Sequence, residues 1–411
     1  MMLSKINSVN IFRYAMMMLI PLMMIFISQL YLIKYILLLT IALTVPKRFL
    51  SSKDLIFFLV IYVLLGFWGI AMGVVHMTDN PLLFITTSVI YPLFFFPIIT
   101  QMKSKSDYNA VIRIMFWAHV FIVAYDLIYA FSIIYGYSFP NIYPIDDDVT
   151  FTYYGDDGSR MNFVNLNTIT YTTPIFFMLW LTRYKIGIPY LFQTIVLIAT
   201  LFLFILSGRR SLMLIFVLVP FGAYFFKNLL SKEKEIVLKR TLFSFIILIC
   251  CILIYVSTTL PELFNNYVDI FLKAFDSGKE PTKFAQHKAL VDAFKESPIF
   301  GHGDGALFYE PFPGRNIFMS KMELTYQLGL AQRGIVGGIL LCISYIGLLL
   351  YGVYLSYKTK DIVFIAFLFG LFFMLIANAT NPVMASFDLL IPFFLCWAKV
   401  NSTKLYKLSN G

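Results

Sequence analysis

Apolar runs close to the thickness of a bilayer core recur along this chain, and short tracts between them hold most of its charge. That alternation decides the fold class before any motif is read. Of the 411 residues, 60% are hydrophobic and only 13% are charged, about half the charged share of a soluble domain. Mean hydropathy is +0.80. Each run is continuous, so the period-two alternation of a membrane barrel is excluded, and a spanning helix needs roughly 20 such residues. The expectation is an all-α polytopic membrane protein with about twelve transmembrane helices. They fall near 11–28, 30–45, 54–75, 81–99, 109–135, 169–182, 187–206, 211–226, 241–259, 334–357, 362–378 and 384–398. The second is the shortest argument of the set, because it contains Lys34. The first is long enough to be a retained span, and no cleavable signal is evident.

Charge then orients the chain. With the N-terminus in the cytoplasm, the inner loops are 46–53, 100–107, 183–186, 227–240, 358–361 and 399–407, and they hold 17 Lys and Arg against 4 Asp and Glu. Segment 136–168 on the other side carries five aspartates and one arginine, Arg160. This is the positive-inside pattern, with both termini cytoplasmic. It also accounts for the net charge of +10 without invoking nucleic acid. The whole chain, 1–411, reads as one transmembrane domain with an early outer loop at 136–168 and a large one at 260–333. Within the large loop, 283–296 has Phe284, His287, Leu290, Val291 and Phe294 on one helical side, as an amphipathic helix lying on the membrane surface or over the bundle would. Cys250, Cys251, Cys342 and Cys396 all sit inside apolar runs without metal-ligand spacing.

One tract breaks the charge rule. "SGRRS" at 207–211 places Arg209 and Arg210 on the outer side between two spans. Two planar, permanently charged donor forks at the start of a helix suit phosphate or diphosphate oxygens, and snorkelling to lipid headgroups is the plainer alternative. "ESPIFGHGDG" (296–305) puts His302 among three glycines that allow tight turns, either around a ligand or as an incidental loop. In "KMELTYQLGLAQRGIVGG" (321–338), Glu323 and Arg333 bracket the entry to a span. A carboxylate near cations is a candidate base, and pairing with Lys321 is the alternative. Arg160 either binds a ligand or pairs with Asp156 or Asp157. Asp126 and Asp388 lie near or within spans, where a polar cavity would explain them, and neither has an identifiable partner in the sequence. "DDD" at 146–148 is a solvated loop; the chain has no nucleotide-binding α/β domain to use it.

Through "SGRRS", "HKALVDAFKESPIFGHG" (287–303) and "ELTYQLGLAQRGIVGG" (323–338), the chain resembles the Wzy-type polymerases of the O-antigen ligase/polymerase superfamily. The resemblance implies a GT-C-like bundle whose large periplasmic loop carries short amphipathic helices. It implies a membrane glycosyltransferase of lipopolysaccharide biosynthesis, independent of metal and nucleotide, in the bacterial inner membrane. It would extend undecaprenyl-diphosphate-linked repeat units at the periplasmic face, with the lipid diphosphate leaving. By position, Arg209 and Arg210 are assigned to the diphosphate, and Arg160, His287, Lys288, His302 and Arg333 to substrate binding. Glu323 stands where the ligase branch usually has histidine, which favours a polymerase. No cofactor or metal is expected; membrane lipid and a chain-length regulator are the expected partners. A ligase acting on lipid A core and, in another class, a lipid-linked glycan flippase are the competing readings. The flippase would need internal repeats, which the sequence lacks.

Overall fold

The computed structural model describes residues 15–44, 51–143, 153–154, 160–161, 163, 165–207, 210–259, 281–312, 315–319, 322–379 and 386–410. A helix stands at the place of every expected span. In chain order they are α1 (Ala15–Ile25), α2 (Tyr31–Thr44), α3 (Lys53–Val75), α4 (Tyr91–Gln101), α5 (Lys105–Tyr135), α6 (Leu166–Leu181), α7 (Tyr190–Ser207), α8 (Arg210–Phe225) and α9 (Lys232–Thr259). Helix α10 (Pro281–Glu296) lies in the large loop, followed by α11 (Thr325–Cys342), α12 (Leu348–Thr359), α13 (Ile362–Asn378) and α14 (Ile391–Asn410). Among the described residues four stretches, 53–75, 105–135, 190–207 and 325–359, are long and apolar enough to cross a membrane by length and composition. The protein is an all-α polytopic membrane protein. Helices prevail because hydrocarbon offers no partner for backbone N–H and C=O groups, so each segment must satisfy its own.

Three helices that start at the basic end are capped there by side chains. Ser52 caps α3, Ser104 and Asp107 form a capping box on α5, and Asp361 caps α13. Two lysines of α14 reach the same end: Lys399 pairs with Asp361 and Lys404 with Asp54, each at 2.8 Å. Those pairs explain one departure from expectation. The last helix begins seven residues later than 384 and runs through 399–407 as helix, because its cations find fixed carboxylates.

Helix α6 is the hub. All of it except Asn167 and Trp180 is buried, against α13, α8, α5 and α7. Three of its threonines pair their hydroxyls with backbone: Thr170 and Thr172 donate to the carbonyls four residues back and Thr168 to the Met24 carbonyl, while the buried Thr173 hydroxyl has no partner. His119 of α5 lies between Thr172 and Thr200, its ring nitrogens 2.9 and 3.1 Å from their hydroxyl oxygens. Outward faces of α2, α7 and α9 expose Leu32, Leu191 and Phe243, as lipid-facing positions do.

Lys34, the residue that weakened the second span on paper, is fully buried beside Asp388 at 2.8 Å. It also donates to the Phe26 carbonyl, and Asp388 accepts the Ser28 N–H. An ion pair, each partner missing from the sequence view of the other, lets both charges sit inside the bundle.

The large loop differs from the all-helical expectation. Beside α10 it contains an antiparallel hairpin, β3 (Phe308–Phe312) with β4 (Arg315–Met319). In the early loop, β1 (Tyr153–Tyr154) pairs with β2 (Arg160–Met161) as a two-residue ladder.

Candidate functional site

Helix α11 is broken where "QRGIVGG" enters the span. Gly334 has φ 62° and ψ −165°, which no side-chain-bearing residue adopts comfortably. A break frees backbone groups on both sides, and the segment after α10 takes them up. His302 N–H donates to the Ala331 carbonyl and Gly303 N–H to Gln332, while Ile335 and Val336 donate to Pro298 and Ile299. The turn reaches α3 as well: Asp304 N–H donates to the Gly69 carbonyl at 2.8 Å, and Thr78 Oγ1 donates to the Asp304 carbonyl at 2.7 Å. A Cβ at Gly303 (φ 90°) would overlap the backbone of Gly73. The glycine motif is therefore filled by the protein's own backbone and is a joint between α3, α10 and α11.

Arg333 and Asp304 close that joint. The guanidinium donates from Nε and Nη2 to the two carboxyl oxygens, both at 2.9 Å, and Asp304 is fully buried. The Trp68 indole N–H donates to the Arg333 carbonyl. Sequence reasoning gave Arg333 to substrate; the structure gives its fork to Asp304, a residue the sequence reading passed over although it sits inside "GHGDG".

His302 points back at α10. Its Nε2 lies 2.7 Å from the Ala293 carbonyl, so that nitrogen carries the proton. Its ring meets Phe308 edge-on at 5.9 Å. Around it, Leu290, Ala293, Ala306, Phe308, Met322, Leu328 and Ala331 form a small core separate from the bundle's. The buried side of α10 is thus Gln286, Leu290 and Ala293. Of the expected apolar stripe only Leu290 lies fully on that side: Phe284 and His287 are exposed, and Val291 and Phe294 half-buried. The helix packs on β3 and α11 rather than by its two phenylalanines.

His287 Nδ1 lies 2.9 Å from Gln327 Oε1 of α11, which brings His287 and the start of α11 together. Lys288 is exposed on α10, and Glu323 is exposed in the bend just before α11. His287, Lys288 and Glu323 thus stand on one unit with His302.

The arginines stand on a second unit. Helix α7 ends at Ser207, buried, with its hydroxyl on the Phe204 carbonyl. Arg209 lies outside the described residues, and Arg210 is the first residue of α8. The opening turn of a helix presents unpaired N–H groups and a positive dipole end, both suited to an anion. The strand Arg160–Met161 packs on α7, the helix that precedes α8. Among the described residues no group of three His, Cys, Asp or Glu could hold a metal ion.

The fold and these two units define a polytopic membrane protein whose broken helix, glycine joint and helix-start arginine lie in one contiguous sequence region. Residues 194–342 match the family described as O-antigen ligase, which bears out the resemblance to the O-antigen ligase/polymerase superfamily. The family covers ligases and polymerases of O-antigen, membrane enzymes of the glycosyltransferase kind. No curated protein and no solved structure matched the chain.

Proposed function

We propose that this chain polymerises undecaprenyl-diphosphate-linked O-antigen repeat units at the periplasmic face of the bacterial inner membrane, with both termini cytoplasmic. The observation that carries the reading is Arg210 at the first turn of α8, inside the family-matched segment, with the strand that bears Arg160 packed on the preceding helix α7. The basic loops at the opposite end support the orientation.

In this reading Arg209, Arg210 and Arg160 hold the diphosphate of the donor. A hydroxyl of the acceptor repeat unit attacks the anomeric carbon, the glycosyl–phosphate bond breaks, and the electron pair leaves on the diphosphate. Fixed guanidinium groups stabilise that growing charge, so neither metal nor nucleotide is required. Glu323 receives or orients the hydroxyl proton; His287, Lys288 and His302 line the same unit. Glutamate where ligases usually have histidine favours the polymerase over transfer to lipid A core. Membrane lipid and a chain-length regulator are the partners that fit.

The test uses purified protein with lipid-linked repeat units, with and without lipid A core. A ladder of lengthening products from repeat units alone supports the proposal. Transfer only when lipid A core is present makes it a ligase. Transbilayer movement without a new glycosidic bond makes it a flippase.

A further inference from the structure

Helix α3 marks out the bilayer. Its exposed apolar side chains run from Ile56 through Val60, Leu64 and Phe67 to Val75. Nineteen residues separate the first from the last, about 28 Å along the axis, and the hydrocarbon core is about 30 Å thick. His76 and Asp79, both exposed, follow the band at the end opposite the basic loops. Backbone and side chains level with Ile56–Val75 are therefore at membrane depth.

The turn that leaves α10 reaches that depth, although it belongs to the large loop. Trp68 is seven residues before Val75, about 10 Å inside the band, and the Phe300 ring lies 5.9 Å from its indole. A second helix gives the same level: Ile335 and Val336 donate to the Pro298 and Ile299 carbonyls, and Ile335 heads an exposed apolar face that continues through Ile339, Ile346 and Leu350. The chain then climbs back along α3, with Asp304 N–H on the Gly69 carbonyl and Gly305 close to the Asp79 carbonyl. Irregular backbone survives at membrane depth only where protein satisfies it, and these bonds do so. Charge at that depth has to be paired, and Asp304 is buried against Arg333.

The tip of the turn is apolar and outward. Ile299 is 54% exposed and Phe300 53%. The polar residues beside it stand at the rim of the band. Glu296 Oε2 lies 3.9 Å from His302 Nε2, and the His302 ring is 6.2 Å from that of His76, just past Val75. A polar rim above an apolar tip is the arrangement of a segment dipped into lipid. We propose that 297–305 is a re-entrant loop whose Ile299 and Phe300 enter the leaflet opposite the basic loops and contact bilayer acyl chains. The tip fixes the height of α10, and with it His287 and Lys288, over the membrane. This rests on the spanning helices and stands without the polymerase reading.

The test uses the full-length wild type in nanodiscs of phosphatidylethanolamine and phosphatidylglycerol, part of the lipid carrying a diazirine midway along one acyl chain. After illumination, trypsin cuts behind Lys295 and Arg315, so peptide 296–315 reports the tip and 289–295 reports α10. The expected result is a lipid adduct on Ile299 or Phe300, alongside adducts on the α3 band, and none on 289–295. A second measurement places a nitroxide at Phe300→Cys, with the four native cysteines replaced by alanine, beside labels at Leu64→Cys and Asp292→Cys. At 300, as at 64, oxygen relaxes the label several-fold more than a water-soluble nickel chelate does, and at 292 the order reverses. If the cysteine-free protein does not fold, the wild-type adducts decide alone. No adduct on 296–315, adducts on 289–295 instead, or a label at 300 that behaves like the one at 292 overturns the loop. So does a label at 300 shielded from both reagents, which means that protein covers the tip. Adducts at 299–300 that vanish on adding a polyprenyl diphosphate, while those on α3 persist, make the tip an isoprenoid site and overturn its contact with bulk lipid.

Discussion

Neutralising Arg333 separates its use by the fold from use by a substrate. Asp304 is fully buried and its two oxygens face Nε and Nη2 of Arg333 at 2.9 Å. Arg333→Gln removes the compensating charge and leaves the carboxylate in place, which costs about 3–5 kcal/mol for a buried pair. Asp304→Asn alone strands the guanidinium and costs a similar amount. The double variant, with an amide facing an amide, restores most of the loss, because replacing both partners of a buried pair is close to neutral. At roughly 2–4 °C per kcal/mol for mid-sized domains, and less for a chain of this size, each single variant melts on the order of 5 °C lower. The assay is thermal unfolding of the purified protein in detergent, followed by chain extension with the same samples. Recovery of both stability and extension in the double variant makes Arg333 a strut of the α3–α10–α11 joint. Recovery of stability alone shows that its charge also serves the substrate. An unchanged melting temperature in Arg333→Gln would refute the reasoning.

Three other expectations follow from the same geometry. Gly303→Ala drives a methyl group into the Gly73 backbone and reduces the yield of folded protein sharply, whereas Gly136→Ala, at φ 72° with nothing within 4 Å, costs only the left-handed conformation, about 1–2 kcal/mol; thermal melts of the two decide it. Lys34→Met strands Asp388 inside the bundle and lowers the melting temperature, and adding Asp388→Asn recovers it. Arg209→Ala and Arg210→Ala each abolish long-chain product at normal protein abundance; full activity in both would leave lipid-headgroup snorkelling as their role.

What the sequence could say follows from which signals are local. Hydropathy is a sum over neighbours, so the spans were readable, and even the expected start of the tenth, at 334, falls on the Gly334 break. Pairings between distant residues leave no such trace. Lys34 and Asp388 each looked anomalous alone, and 354 residues of chain separate them. Asp304 was hidden in plain view: glycines on both sides drew attention to a ligand, when the close approach they permit is to the backbone of Gly73 and Asp79. The face of α10 was misjudged because bulky Phe284 and Phe294 outweighed Ala293 in the periodicity, whereas close packing against β3 and α11 selects the small residue. The hairpin at 308–319 escaped because its strands lack clean alternation. Asp126 was noticed as an acid near a span, but its lack of any partner needed coordinates.

The most direct measurement counts bonds against leaving groups. Purified protein is given lipid-linked repeat units in chelator-treated, nucleotide-free buffer, and released lipid diphosphate is quantified beside new glycosidic linkages. A polymerase with arginine-held diphosphate releases one lipid diphosphate per linkage, and Arg210→Ala releases none. Release without linkage, linkage that requires added metal or nucleotide, or repeat units that only cross the bilayer intact would contradict the assignment.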